Sequence, residues 1–167
     1  GSGVDFVLGA SPAPAFVRIR QRFDVVSLDP RGAGRSRPFL CGFDLPAAPA
    51  DNSDASLIAF LDDQSQRIAQ QCLDQDRAFV QSINGNNFAR DIEVLRRALG
   101  EQQLTLSMIS NSGPVAAIYA TLFPRHVRAM LIDSPVVSDF DDYAIERITE
   151  QSARYETAFQ QLERLCR

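Results

Sequence analysis

Ser110 stands in the run Met108-Ile109-Ser110-Asn111-Ser112, between an apolar, β-prone segment and an alanine-rich, helix-prone one. A hydroxyl at such a junction suits acyl transfer, because a sharp strand-to-helix turn exposes the oxygen and the leading N–H groups of the helix can stabilise an oxyanion. The usual form of this turn is G-x-S-x-G, with glycines where side chains would collide with neighbouring backbone. Met108 and Ser112 occupy those two positions here, and Met108 is the larger departure. Two readings follow: a nucleophile in a strained turn, or a serine that only caps a helix. Pro114 fits both, since proline suits the first turn of a helix.

A nucleophilic serine needs a base, and the chain has a single histidine, His126. It follows Ser110 at the far end of the intervening helix, on the order of 15 to 20 Å away at a rise of about 1.5 Å per residue. His126 is therefore read as a structural residue of the loop before the next strand. Asp29, Arg31 and Ser36 lie in the turn "DPRGAGRS" and are expected to hold that loop by hydrogen bonds rather than contact substrate. Gly32 and Gly34 lack the third glycine and the lysine that phosphate binding requires, so no nucleotide site is expected. The cysteines Cys41, Cys72 and Cys166 have no metal-ligand spacing, so neither a metal nor a cofactor is expected. A Cys41 to Cys72 disulfide and three reduced thiols both remain open on these grounds.

The elements that must position Ser110 follow from periodicity. Phe23 to Leu28 is a β-branched apolar run, and it predicts a buried strand before the Asp29 turn. Residues from Leu45 to Asp54, rich in alanine, proline and small polar types, suit a surface connection. Helical spacing of Leu57, Leu61, Ile68 and Cys72 predicts a helix over about Ala55 to Cys72, with Ser53 or Asp54 as its cap. Phe88, Ile92, Leu95 and Leu99 share one face of the next helix, which Gly100 ends. Then come a strand at Leu104 to Ile109, a helix at Gly113 to Phe123 and a strand at Val127 to Asp133. Such alternation means an α/β fold of parallel strands joined by right-handed crossovers. Beyond Ser138, the residues Ile145, Ile148, Tyr155, Phe159, Leu162 and Cys166 mark one long amphipathic helix, read as packing on the body or on a neighbour.

The totals exclude other classes. With 167 residues, 45% of them hydrophobic, the chain can bury one core, and its net charge of -4 offers no basic field for nucleic acid. Its longest apolar stretches, such as "VRAMLID", fall far short of the roughly 20 residues that cross a bilayer, so no membrane insertion is expected.

Three segments together, "FDVVSLDPRGAGRS", "NGNNFARDIEVLRRALG" and "YATLFPRHVRAMLIDSPVV", resemble the exported α/β-hydrolases of the tripeptidyl aminopeptidase and proline iminopeptidase group, in the same order and at the same intervals. The resemblance implies a central portion of an α/β-hydrolase fold, with residues 1–137 as a partial core and 138–167 as the start of a helical cap. It places Ser110 on the nucleophile and Asn111 on the residue whose N–H helps form the oxyanion hole. Gly3, in the opening "GSG", falls at the tail of the loop that gives the other oxyanion donor. It also implies a Cys41 to Cys72 disulfide, a partner for Cys166 past Arg167, a secreted or cell-envelope location, and small peptide or ester substrates. Asp133 is a candidate acid, against a structural role in the turn "DSP". By the same comparison the chain is a fragment: the strand preceding Gly1 and the segments bearing the acid and histidine are missing, and the strand edges left by that loss must pair anew or be covered. Residues 1–167 alone are then expected to be inactive, with the missing segments of the same protein as natural partners. A non-catalytic α/β module is the alternative.

Overall fold

The computed structural model describes residues 2–10, 13–42, 46–47, 49–51, 53–135 and 143–166. In chain order it contains α1 (Gly3–Ala10), α2 (Pro14–Arg20), α3 (Asp54–Ser82), α4 (Gly85–Ala98), β1 (Leu104–Ile109), α5 (Gly113–Leu122), β2 (Val127–Asp133) and α6 (Tyr143–Leu165). Short 3-10 turns, Ser110–Ser112 and Pro124–His126, lie at the two ends of α5.

Strands β1 and β2 form a parallel pair from Leu104 opposite Val127 to Ile109 opposite Asp133, with a one-residue shift between Leu104 and Thr105, which lies opposite Ala129. Alternation along β1 sends Leu104, Leu106 and Met108 to one face, where Leu106 joins Ala89 and Ile92 of α4 and Val115 and Tyr119 of α5 in the buried core. The other face is bare among the described residues: Ile109 is 49% and Leu131 63% exposed. Helix α4 starts as its sequence dictates, with the Asn84 side chain accepting the Asn87 N–H at 2.9 Å, and Gly100 ends it at φ +73°.

Gly113 lets α5 lie close to the end of β2. A Cβ there would stand 2.7 Å from Pro135 Cβ and 3.1 Å from Ile132 Cγ2, contacts too short for carbon. Gly113→Ala is expected to lower the unfolding free energy by about 1 to 3 kcal/mol, the usual cost of overpacking, measured by urea denaturation. An unchanged midpoint would mean that α5 is not held against β2.

Phe23–Leu28 departs from the strand predicted for it. It is extended backbone without ladder pairing, and the only sheet among the described residues has two strands. A strand is completed by a neighbour's hydrogen bonds, and no described segment pairs with this one in a ladder. Leu28 still packs on the core from this segment.

The turn that follows is held by Asp29. Its buried carboxylate accepts hydrogen bonds from Arg35 N at 2.8 Å, Ser2 Oγ at 2.8 Å and Val4 N at 3.1 Å. These donors, the Arg35 and Val4 N–H groups foremost, hold its carboxyl below the ordinary value against the opposing effect of burial. Gly34, at φ +52°, passes so close that a Cβ would strike Asp29 Oδ2. The structural role expected for Asp29 is thus observed. Arg31 clamps Asp91 of α4 through two hydrogen bonds, 2.6 and 2.9 Å, and so ties the same turn to the core helix.

Of the two candidate caps of helix α3, Ser53 and Asp54, the structure uses Ser53, its Oγ accepting from Ser56 N at 3.3 Å. It runs ten residues past the expected end at Cys72, with a break at Asp76, where φ -159° and ψ 80° leave the helical region. Asp76 caps the segment after the break through Phe79 N at 3.0 Å and pairs with Arg37 at 2.7 Å, while the Arg37 guanidinium lies 3.8 Å from the Phe79 ring centre. Cys41 and Cys72 form a disulfide that fastens the segment after the turn to α3, as the resemblance implied.

Helix α6 forms as its period predicts; of the two packings expected for it, on the body or on a neighbour, the first is not observed among the described residues. Ile148, Tyr155, Phe159 and Leu162 are each about two-thirds exposed, and no described residue covers them. The expected boundary at Ser138, the end of the core at Val137, Gly1, and part of the Leu45 to Asp54 connection lie outside the described residues.

Candidate active site

β1 ends at Ile109 in extended conformation, φ -126° and ψ 138°, and the next residue, Ser110, has φ +55°. That is the left-handed region, which a side chain enters at a cost of about 1 to 3 kcal/mol and which persists only where the surroundings over-determine it. Ser110 opens the 3-10 turn that leads into α5, and its side chain is exposed. Its C=O accepts the Gly113 N–H, which closes the turn. Asn111, also exposed, follows within it, and its N–H is among the leading groups that a helical turn cannot satisfy from within. The residues thus form a strand, a strained serine and a helix N-terminus in succession, a backbone arrangement that suits acyl transfer.

Met108 does not obstruct this turn. Strand alternation directs it to the covered face, where it is half-buried against the core cluster. Ser112 makes a contact that sequence reasoning missed: its Oγ accepts the Ile109 N–H at 2.9 Å and donates to the Ile109 carbonyl at 2.7 Å.

Asp133 lies opposite Ile109 in the β1/β2 register, so it emerges at the same sheet end as Ser110. Its exposed carboxylate accepts a hydrogen bond from Ser134 Oγ at 2.8 Å, and Ser134 too has a positive φ, +47°. Gly3 is the first residue of α1, lying against Ser27 and Leu28, and its N–H is one of the groups that stabilise the Asp29 carboxylate.

His126 is remote from all of this. It precedes β2, whereas Ser110 follows β1, so in a parallel pair they occupy opposite ends of the sheet, on the order of 20 Å apart. Its Nδ1 lies 3.1 Å from Glu93 Oε2, and its ring stacks on Phe123. The structural role expected for it is what the geometry shows. Glu93 itself was legible only as one polar residue of α4, yet it is buried with four partners. Arg96 binds it through two hydrogen bonds, 2.7 and 2.9 Å, and Arg97 Nε, Tyr119 Oη and His126 complete the set at 2.9, 3.1 and 3.1 Å. Arg96 above all, then Arg97, Tyr119 and His126, hold the Glu93 carboxyl well below the usual carboxylate range despite burial. Burial first, then the hydrogen bond to Glu93 and the Glu93 charge, push the Tyr119 hydroxyl up to about 12. The spacing of Glu93 to Arg96 and Arg97 was a visible signal of an ion pair on one helix face. Nothing local announces Tyr119 and His126.

No group of three or more His, Cys, Asp or Glu side chains suited to a metal is found among the described residues, and none of the described helices is long and apolar enough to cross a membrane.

A family profile described as the alpha/beta hydrolase fold matches residues 10–161. Similar curated proteins include "Serine protease Hip1" of Mycobacterium tuberculosis, 31% identical over 95% of this chain and 31% of its own length. "Tripeptidyl aminopeptidase" of Streptomyces coelicolor is 31% identical over 93% of this chain and 30% of its own length. "Carboxylesterase B" of Mycobacterium tuberculosis is 34% identical over 95% of this chain and 31% of its own length. The chain therefore spans less than a third of the length of each of these relatives.

Proposed function

We propose that this chain, which belongs to the alpha/beta hydrolase fold family, carries the nucleophile turn of a serine hydrolase that, in the whole protein, removes short peptides or proline from substrate N-termini. The observation that carries this reading is Ser110 at φ +55°, exposed between β1 and α5.

In this reading Ser110 Oγ bonds to the scissile carbonyl carbon while its proton passes to a base. The oxyanion so formed is held by Asn111 N–H, with Gly3 as a second donor once its N–H turns from Asp29 to the substrate. Collapse of the intermediate breaks the C–N bond, the base returns the proton to the leaving amine, and water then releases the acyl group from Ser110 by the reverse sequence. His126 cannot be that base, because it stands at the wrong end of the sheet. The base belongs to other segments of the whole protein, so residues 1–167 alone turn over no substrate. Asp133 is at the right end of the sheet to orient such a base. The exposed face of α6 belongs to a cap over the site. The Cys41 to Cys72 disulfide suits an oxidising compartment, consistent with a secreted or cell-envelope enzyme.

Assays of the full-length protein on tripeptidyl and prolyl anilides, their N-acetylated forms and simple acyl esters test the substrate class. Cleavage of the free-amine peptides, lost on acetylation, is the expected result. Turnover of esters alone would replace the peptidase with an esterase, and no turnover of any substrate would favour a binding module.

A further inference from the structure

A left-handed serine does not stay left-handed unaided. In the glycine form of this turn the residue two positions after the nucleophile contributes only the lack of a side chain. Ser112 occupies that position here, and its hydroxyl does something that glycine cannot. It accepts from Ile109 N at 2.9 Å and donates to Ile109 O at 2.7 Å, so one oxygen engages both backbone polar groups of the residue immediately before Ser110. The Ile109 carbonyl belongs to the peptide unit that ends at the Ser110 nitrogen, the unit about which the Ser110 φ is defined. Fixing that unit from across the turn opposes the rotation by which Ser110 would relax to the right-handed region. The C=O of Ser110 is held on the other side by Gly113 N. Ser110 is thus clasped from both directions, by one backbone hydrogen bond and by the two that the Ser112 hydroxyl makes.

We infer that Ser112 is a positioning residue for the reaction: its hydroxyl closes a clasp on Ile109 that holds Ser110 in its left-handed conformation and so keeps the Ser110 oxygen and the Asn111 N–H in catalytic register. This rests on the reading of Ser110 as the nucleophile. It makes Ser112 a functional substitute for the glycine, working by hydrogen bonds where the glycine works by vacancy.

The test compares Ser112→Thr, which keeps the hydroxyl, with Ser112→Val, which has the shape of threonine without it, and with Ser112→Gly, all in the full-length protein. Two quantities are measured: the rate at which a fluorophosphonate modifies Ser110, and hydrogen exchange at the Ile109 amide. The threonine variant, and the glycine variant that restores the usual form of the turn, are expected to react within about threefold of the natural protein, whereas the valine variant, with neither hydroxyl nor vacancy, slows by about 10- to 100-fold in the bond-forming step with little change in probe affinity, the range expected of a displacement near 1 Å. Ile109 exchange is expected to quicken at least tenfold in valine and glycine and not in threonine. A folded valine variant that reacts at the natural rate overturns the inference. If the natural protein itself fails to react, the nucleophile reading falls, and the exchange measurement alone then decides the clasp: unaltered Ile109 exchange in the valine variant refutes it.

Discussion

Replacing Ser110 by alanine in the full-length protein is expected to cut turnover by about 10⁴-fold or more, because the other hydroxyl of this turn, Ser112 Oγ, is engaged with Ile109 and the effect is that of removing a nucleophile. A paired variant distinguishes catalysis from folding. Ser110→Gly removes the same oxygen but places at φ +55° the one residue for which that conformation carries no steric cost. It is expected to abolish activity equally while raising the unfolding free energy by about 1 kcal/mol, the benefit of relieved strain less the added chain entropy of glycine. Loss of function with gain of stability is what a site strained for function should show. A Ser110→Gly protein less stable than the natural one, or a Ser110→Ala protein that still turns over substrate, would contradict this.

The second large effect is expected at Glu93. Its carboxylate is almost wholly buried, and the Arg96 guanidinium it pairs with is only 11% exposed. Glu93→Ala leaves that cation in the interior without a counter-charge and leaves Tyr119 Oη without its acceptor. Removing one partner of a buried pair costs about 3 to 5 kcal/mol, and urea denaturation should show a loss of that size. Coupling supports the assignment: Glu93→Ala and Arg96→Ala together should cost less than the sum of the two.

The pH dependence follows from the direction of the Glu93 shift. Its folded value lies below the ordinary 4.5, so the folded state binds fewer protons at this site than the unfolded state does. The stability that Glu93 contributes is then fully present above pH 4.5 and is lost progressively as pH falls below it toward the folded value. Asp29, also lowered, acts in the same direction from its ordinary 3.8. Glu93→Gln should therefore flatten the acid limb of the stability profile, and an unchanged acid limb would remove Glu93 as its source.

Much of this architecture was legible in the residues. The bounds of β1 and β2 and the start of α3 at Ser53 or Asp54 were readable because each rests on local chemistry, apolar period or a side chain bonding its own turn. Phe23–Leu28 was misread because its composition is that of a strand while its pairing depends on a neighbour, which local sequence does not contain. Helix α1 went unread: "GVDFVLGA" has glycine at its first residue and again near its end, and what holds its start is Asp29, some 25 residues away. Met108 looked obstructive only while the turn was considered as five letters. The strand's alternation, which decides where that side chain goes, had already been inferred and was enough to settle it. Glu93 shows the opposite failure, since a polar residue on an amphipathic helix is assigned to solvent by default, and only the packing of α5 and the turn at His126 against α4 encloses it.

The central claim is that Ser110 is an activated nucleophile. Exposing the full-length protein to a fluorophosphonate and mapping the adduct by peptide sequencing in a mass spectrometer tests it most directly. Stoichiometric modification at Ser110, absent from Ser110→Ala and from residues 1–167 alone, is the expected result. A folded full-length protein that stays unmodified, or one modified at a different serine, would contradict it.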